Sequence, residues 1–273
     1  MIPQMFGVIA SLLLAPQSGI LVVDQLAVAI AQNGQWKQMD SIYSKNWPKM
    51  NVPEGTVKAA SSGTVFLLSG KEAKSIPNPG LKYGGEDADP GSRGWTLGKE
   101  INDYKNVLWF GSKPTAPTYK VLSNSSDIYK KAVLEFVKKK GLKKPAILLQ
   151  SVIQADLDGN GSQEVMIYCA SRSLEDIHNS FSGNIPGPKT EHFSAVLIRS
   201  VSGKSVKTTE VYYTDAKTGG IDGHMAFAGL WELDGKPGLE IVSRWSGYEA
   251  NSASLAKFSG GKFVKIAEAG DGV

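Results

Sequence analysis

From residue 146 onward the chain breaks into short apolar or alternating runs separated by Gly, Asn and Asp: 146–155, 164–170, 193–201, 206–213, 224–233, 239–245, 254–258 and 262–266. Runs of this length, rich in β-branched and aromatic residues and bounded by turn residues, predict strands, and their even spacing predicts an antiparallel meander. The closing pair, Ala256-Lys257-Phe258 and Phe263-Val264-Lys265 around Ser259-Gly260-Gly261, has the pattern of a hairpin. Upstream, 63–69 and 106–111 have the same character, and the Gly- and Pro-dense stretch 77–98 between them is expected to be loop. One segment differs. Tyr129, Ala132, Val133, Phe136 and Val137 recur at helical spacing, Ser126 and Asp127 stand where a cap is needed, and Gly141 and Pro145 end the pattern, so a helix is expected over 126–140. The expected fold is mainly β within the α+β class, with one amphipathic basic helix.

Charge divides the chain. No Lys or Arg precedes Lys37, which is the first of the 30 basic residues. Residues 5–15 form an apolar run, and Ala29-Ile30-Ala31 before Gln32 fits a small-x-small cleavage pattern. Residues 1–31 are therefore expected to be a signal peptide, with a membrane anchor as the rival reading, although the basic n-region is missing. Pro16, Gln17, Ser18 and Asp24 interrupt the stretch of roughly 20 apolar residues that a span needs, so no stable span is expected after cleavage. On this reading 32–124 is a β-rich region of unknown type, 125–273 is the helix plus a β domain, and the protein is secreted or held at the cell envelope.

Composition narrows the classes further. With 273 residues, 41% of them apolar, the chain can bury a substantial core, which excludes disordered and fibrous classes. A net charge of +4 demands no polyanionic partner. Seven Lys crowd between Lys130 and Lys144 without an Arg among them, and because specific phosphate recognition leans on Arg, a solvated face is expected rather than a nucleic-acid site. The single Cys169 excludes an intrachain disulfide and a Cys-based metal site, and its apolar surroundings suit a small buried hydrophobe.

The segment with the most chemistry is Asp156-Leu157-Asp158-Gly159-Asn160-Gly161-Ser162-Gln163-Glu164. Oxygen-bearing side chains fall at positions one, three, five and nine, with Gly at four and six to let the backbone fold tightly. Calcium asks for such a set, since a hard cation takes six to eight oxygens at about 2.3–2.6 Å. The alternative is an Asp/Gly turn, which seldom needs three carboxylates. Strand-like runs on both sides and Ile167 at position twelve exclude an EF-hand. Strand, D-x-D-G-N-G-x-x-E, strand instead resembles the calcium loops of FG-GAP and VCBS repeats. That resemblance implies one structural calcium ion held by Asp156, Asp158, Asn160, the main-chain carbonyl of Ser162, and Glu164, where the family more often has Asp.

A second loop lies 76 residues downstream, where 231–242 aligns on 155–166 without a gap. Asp234 and Glu240 keep their places, Lys236 replaces Asn160, and Glu232 precedes them, so the Lys236 ammonium is expected to stand in for a metal among the three acids. Two loops are too few for a complete propeller. A further acidic group, Glu86, Asp87 and Asp89, reads as a solvated loop tip.

No G-x-S-x-G elbow or H-E-x-x-H helix is present, and His178, His192 and His224 are scattered. Trp95, Trp109, Trp231, Trp245 and Tyr248 lie near Gly-rich turns, where flat aromatics can hold sugar rings; the competing expectation is that they are core. Two function classes follow. One is an exported, calcium-stabilised, non-catalytic binding or adhesion module for glycan, cell-wall polymer or another surface protein. The other is a secreted hydrolase on polysaccharide or peptide, with a catalytic pair separated in sequence.

Overall fold

The apolar runs become strands, and the register between them builds three antiparallel sheets. A computed structural model describes residues 18–39, 52–84, 94–99, 106–173, 175–176, 179, 189, 191–203, 205–218, 223–247 and 250–272. The first half supplies β1 (Gly19–Val23), β2 (Leu26–Gln32), β3 (Gln35–Gln38), α1 (Glu54–Ser61), β4 (Val65–Ser69), β5 (Glu72–Ile76), β6 (Leu81–Gly84), β7 (Gly94–Leu97), β8 (Val107–Gly111) and β9 (Tyr119–Leu122). After these come α2 (Asp127–Lys139), β10 (Leu148–Ala155), β11 (Glu164–Ala170), β12 (Phe193–Ser202), β13 (Ser205–Asp215), β14 (His224–Trp231), β15 (Glu240–Ser246), β16 (Ala250–Ser259) and β17 (Lys262–Gly272). The first sheet runs β5-β4-β8-β1-β2-β7-β6 with β3 added on β2, the second runs β13-β12-β11-β10-β9, and the third is the plain meander β14-β15-β16-β17.

Packing orders these layers as α1, first sheet, third sheet, second sheet, α2. Because side chains alternate along a strand, β14 to β16 send Trp231, Val242 and Leu255 toward the first sheet, and Leu230, Ile241 and Phe258 toward the second. The inner strands of the third sheet are thus covered on both faces, whereas β17 at its edge leaves Val264 exposed. Val57 of α1 closes the far face of the first sheet against Ile20, Val22 and Phe110. On the opposite side Val133 and Val137 of α2 close the second sheet against Val152, Ile167 and Leu197. At about 1.5–3 kcal/mol for each large apolar side chain removed from water, these four clusters are the main cohesive term. Cys169 joins the last of them with its thiol donating to the Ala195 carbonyl at 3.5 Å, and burial pushes its pKa up, so it is inert core.

The meander and the terminal hairpin are as the pattern predicts. Phe258 pairs with Phe263 and Ser259 with Lys262, and Gly260 and Gly261 supply the two positive φ values, 56° and 72°, that a two-residue turn between right-twisted strands requires. The chain is mainly β and forms no closed propeller. Helix α2 falls where expected, although Ser126 makes no side-chain capping bond. Its Lys140 pairs with Glu210 at 2.6 Å and lies over the Phe136 and Tyr213 rings.

Four expectations need correction, the first being the 77–98 stretch, expected to be loop, which carries the paired strands β6 and β7. Cleavage after Ala31 would remove β1 and β2, which sit in the middle of the first sheet with Ile20 to Val23 and Ala27 to Ala31 all buried. The turn between them is also tied down, since Asp24 accepts a 2.6 Å ion-pair hydrogen bond from Arg244 of β15. Residues 19–31 are therefore part of the folded body, and the export reading loses its cleavage point; the apolar run 5–15 lies outside the described residues. The division at 124 also moves, because β9 already belongs to the second sheet through its pairing with β10. Finally, α1 is a second helix where only one was expected.

Candidate metal centre

Pairing of Ala155 with Glu164 across β10 and β11 closes a loop whose polar side chains fold inward onto its own backbone. Asp156 accepts the Asn160 amide at 3.0 Å on one oxygen and the Gly161 amide at 2.8 Å on the other. Asp158 accepts the Asn160 amide at 3.3 Å, Asn160 Oδ1 accepts the Ser162 amide at 2.7 Å, and Glu164 Oε2 accepts the Leu157 amide at 2.9 Å. As a result, one ligand oxygen from each of Asp156, Asp158 and Glu164 lies within 4.8 Å of the others. Two oxygens on opposite sides of a calcium ion are separated by about 5 Å at most, so a single ion fits within reach of all three. Asn160 and Ser162 stand at the exposed tip of the same loop. Glu164 is buried, and burial first, then the charges of Asp158 and Asp156, hold its carboxyl above the ordinary glutamate range.

The second loop repeats the scaffold and changes the cation. Leu233 donates its amide to Glu240 Oε2 at 2.7 Å, matching the Leu157 to Glu164 bond, and Asp234 accepts the Lys236 amide at 2.9 Å. The ammonium among the acids is not that of Lys236, which is exposed and contributes its backbone N–H. It is Lys257, standing opposite Glu240 in the β15–β16 register, with Nζ 3.0 Å from both Asp234 oxygens and 2.8 Å from Glu240 Oε1. Trp36 of β3 adds an indole N–H to Asp234 Oδ2 at 3.1 Å. Glu232 is half-buried, and its carboxyl is raised by burial and by Asp234. A signal for Lys257 existed in the sequence: it is a lone charge within Leu255-Ala256-Lys257-Phe258, a run otherwise fit for a buried strand.

The two loops touch. Leu239 donates its amide to the Leu157 carbonyl at 2.9 Å, and a Cβ on Gly238, where φ is 91°, would lie 3.0 Å from that same carbonyl oxygen. Gly238→Ala is therefore expected to lower unfolding stability by about 1–2 kcal/mol, the cost of a left-handed L-residue, as read by urea denaturation. Beside the contact an open groove of about 500 Å³ is lined by Gln35, Trp36, Asp158, Asp234, Lys236 and Lys257 among others. It brings the first sheet's edge and both loops to one place.

No protein-family model matches this chain, and no curated protein or solved structure matches it.

The remaining candidates are not gathered into this site. Trp109 and Trp231 are fully buried in the core between the first and third sheets, and Trp95 is buried on the first sheet's other face. These three are corrected from ligand-contacting to structural, because all are buried, Trp109 and Trp231 completely. Trp245 is half-buried with its indole N–H donated to the Tyr212 hydroxyl at 3.1 Å. Tyr248, His178 and the acidic group Glu86, Asp87 and Asp89 lie outside the described residues. His192 accepts the Lys189 amide through Nδ1 at 2.9 Å, while His224 is buried beside Gln150 at 3.3 Å. Trp36 and Phe258 are the aromatics that line the groove, and Trp36, two residues after Gly34, carries in sequence the same Gly-turn signal as the tryptophans named above.

Proposed function

We propose that the chain is a calcium-stabilised, non-catalytic β scaffold that acts by binding. The ion is held by Asp156, Asp158, Asn160, the Ser162 carbonyl and Glu164, and the groove beside the loop is the binding face. One observation carries this reading, the unequal treatment of two like loops. Asp234 and Glu240 are neutralised by Lys257, whereas among the described residues no ion pair is made by Asp156, Asp158 or Glu164. A buried carboxylate between two others is costly when uncompensated, and a cation removes that cost. An all-oxygen donor set favours calcium over zinc or copper, and five protein oxygens suit calcium better than the rigid, largely water-filled octahedron of magnesium. The binding role draws support from the groove, whose acids are occupied: Asp234 by Lys257 and Trp36, and Asp158 within the loop turn.

Calorimetric titration of the full chain with calcium is expected to show one site, abolished in Glu164→Gln. Absence of a site in the unaltered chain would overturn the proposal.

The pH dependence of stability is expected to change sign with calcium. In chelator, the folded carboxyl of Glu164 holds its proton more tightly than the unfolded one, so stability falls as pH rises from the ordinary glutamate range through the raised folded value. Bound calcium favours the ionised form, so stability is then lost on acidification instead. Urea midpoints of the unaltered chain minus those of Glu164→Gln, measured across pH 4–8 in both conditions, isolate this contribution.

A further inference from the structure

We infer that Lys257 is the built-in cation of the second loop, its ammonium seated where a metal ion would sit, so that the chain carries a second calcium-type site filled by its own side chain. This rests on the reading of the first loop as a calcium loop. Three observations carry it beyond that reading. The two loops use the same internal scaffold, an amide at position two donating to the carboxylate at position nine, at 2.9 Å in one and 2.7 Å in the other. The ammonium contacts three carboxylate oxygens from loop positions three and nine, Asp234 through both oxygens and Glu240 through one, as a bound cation would. And the neighbouring strand accounts for the difference. Lys257 of β16 faces Glu240 in register, whereas on the first loop the register pair Val165 with Arg199, continued by one residue, sets uncharged Ser200 across from Glu164.

The chemistry of the exchange is simple. The N–O separations of 2.8–3.0 Å need to shorten by about half an ångström to become calcium–oxygen distances, a movement within the reach of side-chain rotation. Glu232, half-buried at position one of this loop, two residues before Asp234, would add a third carboxylate. One position on the adjacent strand thus decides whether a corner draws its cation from solution or from the chain. The consequence for the protein is a division of labour. Withdrawal of calcium loosens the first loop, while the second keeps its ion pair and its Trp36 contact to the first sheet.

Exchanging the two positions tests this. Lys257→Ser should raise the calorimetric stoichiometry from one calcium per chain to two, and the Asp158→Ala/Lys257→Ser double variant should bind one. The reciprocal change, Ser200→Lys, should lower the stoichiometry from one to zero and leave an unfolding midpoint that no longer responds to calcium. Should Lys257→Ser prove unfolded in chelator, refolding on addition of calcium in the Asp158→Ala/Lys257→Ser double variant, whose first loop is disabled, supports the inference. Failure of both single variants to alter the one-to-one stoichiometry overturns it, as does a Lys257→Ser chain that stays unfolded in calcium alongside an unaltered Ser200→Lys. An unaltered chain that binds no calcium instead overturns the reading of the first loop, which keeps the two failures apart.

Discussion

Lys257→Met is expected to lower unfolding stability by about 3–5 kcal/mol in chelator, the typical cost of removing one partner from a buried ion pair. Glu240 and Asp234 are 0% and 3% exposed in their side chains, and Lys257 is 18% exposed, so solvent screens little of the loss. The cost arises from stranding two carboxylates and not from the net worth of the pair, because desolvation offsets most of the attraction when all members are present. The triple variant Asp234→Asn/Glu240→Gln/Lys257→Met should therefore recover most of what the single variant loses. Chemical denaturation of the unaltered chain, the single variant and the triple variant reads this directly. Equal instability of single and triple variants would show that Lys257 contributes packing alone.

Trp231→Ala is the second large effect, about 3–5 kcal/mol, because a fully buried indole leaves a cavity between the first and third sheets that neighbouring strands cannot close. Trp109→Ala should behave alike, losing as well an indole N–H bond to the Ser112 carbonyl of 2.8 Å. Trp245→Ala should cost clearly less, being half-buried and held by one hydrogen bond to Tyr212. The ordering matters for function as well as stability. Were Trp231 a ligand platform, its loss would abolish binding with the fold intact; the core position requires that folding fail first, as near-ultraviolet circular dichroism and denaturation midpoints would show.

Much of the architecture is legible in the residues because inner strands such as β11 are covered on both faces. The run Val165 to Ala170 is apolar throughout and ends at Ser171, so local pattern and tertiary burial agree. The first loop is legible for a different reason, since all its candidate ligands lie within nine residues and their spacing is the geometry. Information that depends on pairing is absent from such patterns. Lys257 reaches Asp234 from 23 residues away by sheet register, and a reader confined to the loop turns to Lys236 instead. Helix α1 offers Val57 as its one buried side chain, too little periodicity to mark eight residues as helical. The 19–31 stretch misleads through its composition. A β-hairpin buried on both faces and a secretory leader are both apolar and free of basic residues, and only the pairing of β1 with β8 separates them. The tryptophans follow the same logic, for a Trp near a Gly turn can face either way until the sheets are stacked.

The central claim is that the Asp156 to Glu164 corner takes its positive charge from solution. Thermal unfolding of the full chain in millimolar calcium and in excess chelator, with Asp158→Ala run in parallel, tests it most directly. The account predicts stabilisation of about 2.7 kcal/mol at a free calcium concentration a hundredfold above the dissociation constant, visible as a midpoint shift of several degrees and absent from the variant. An unaltered chain whose midpoint is the same in calcium and chelator would contradict it.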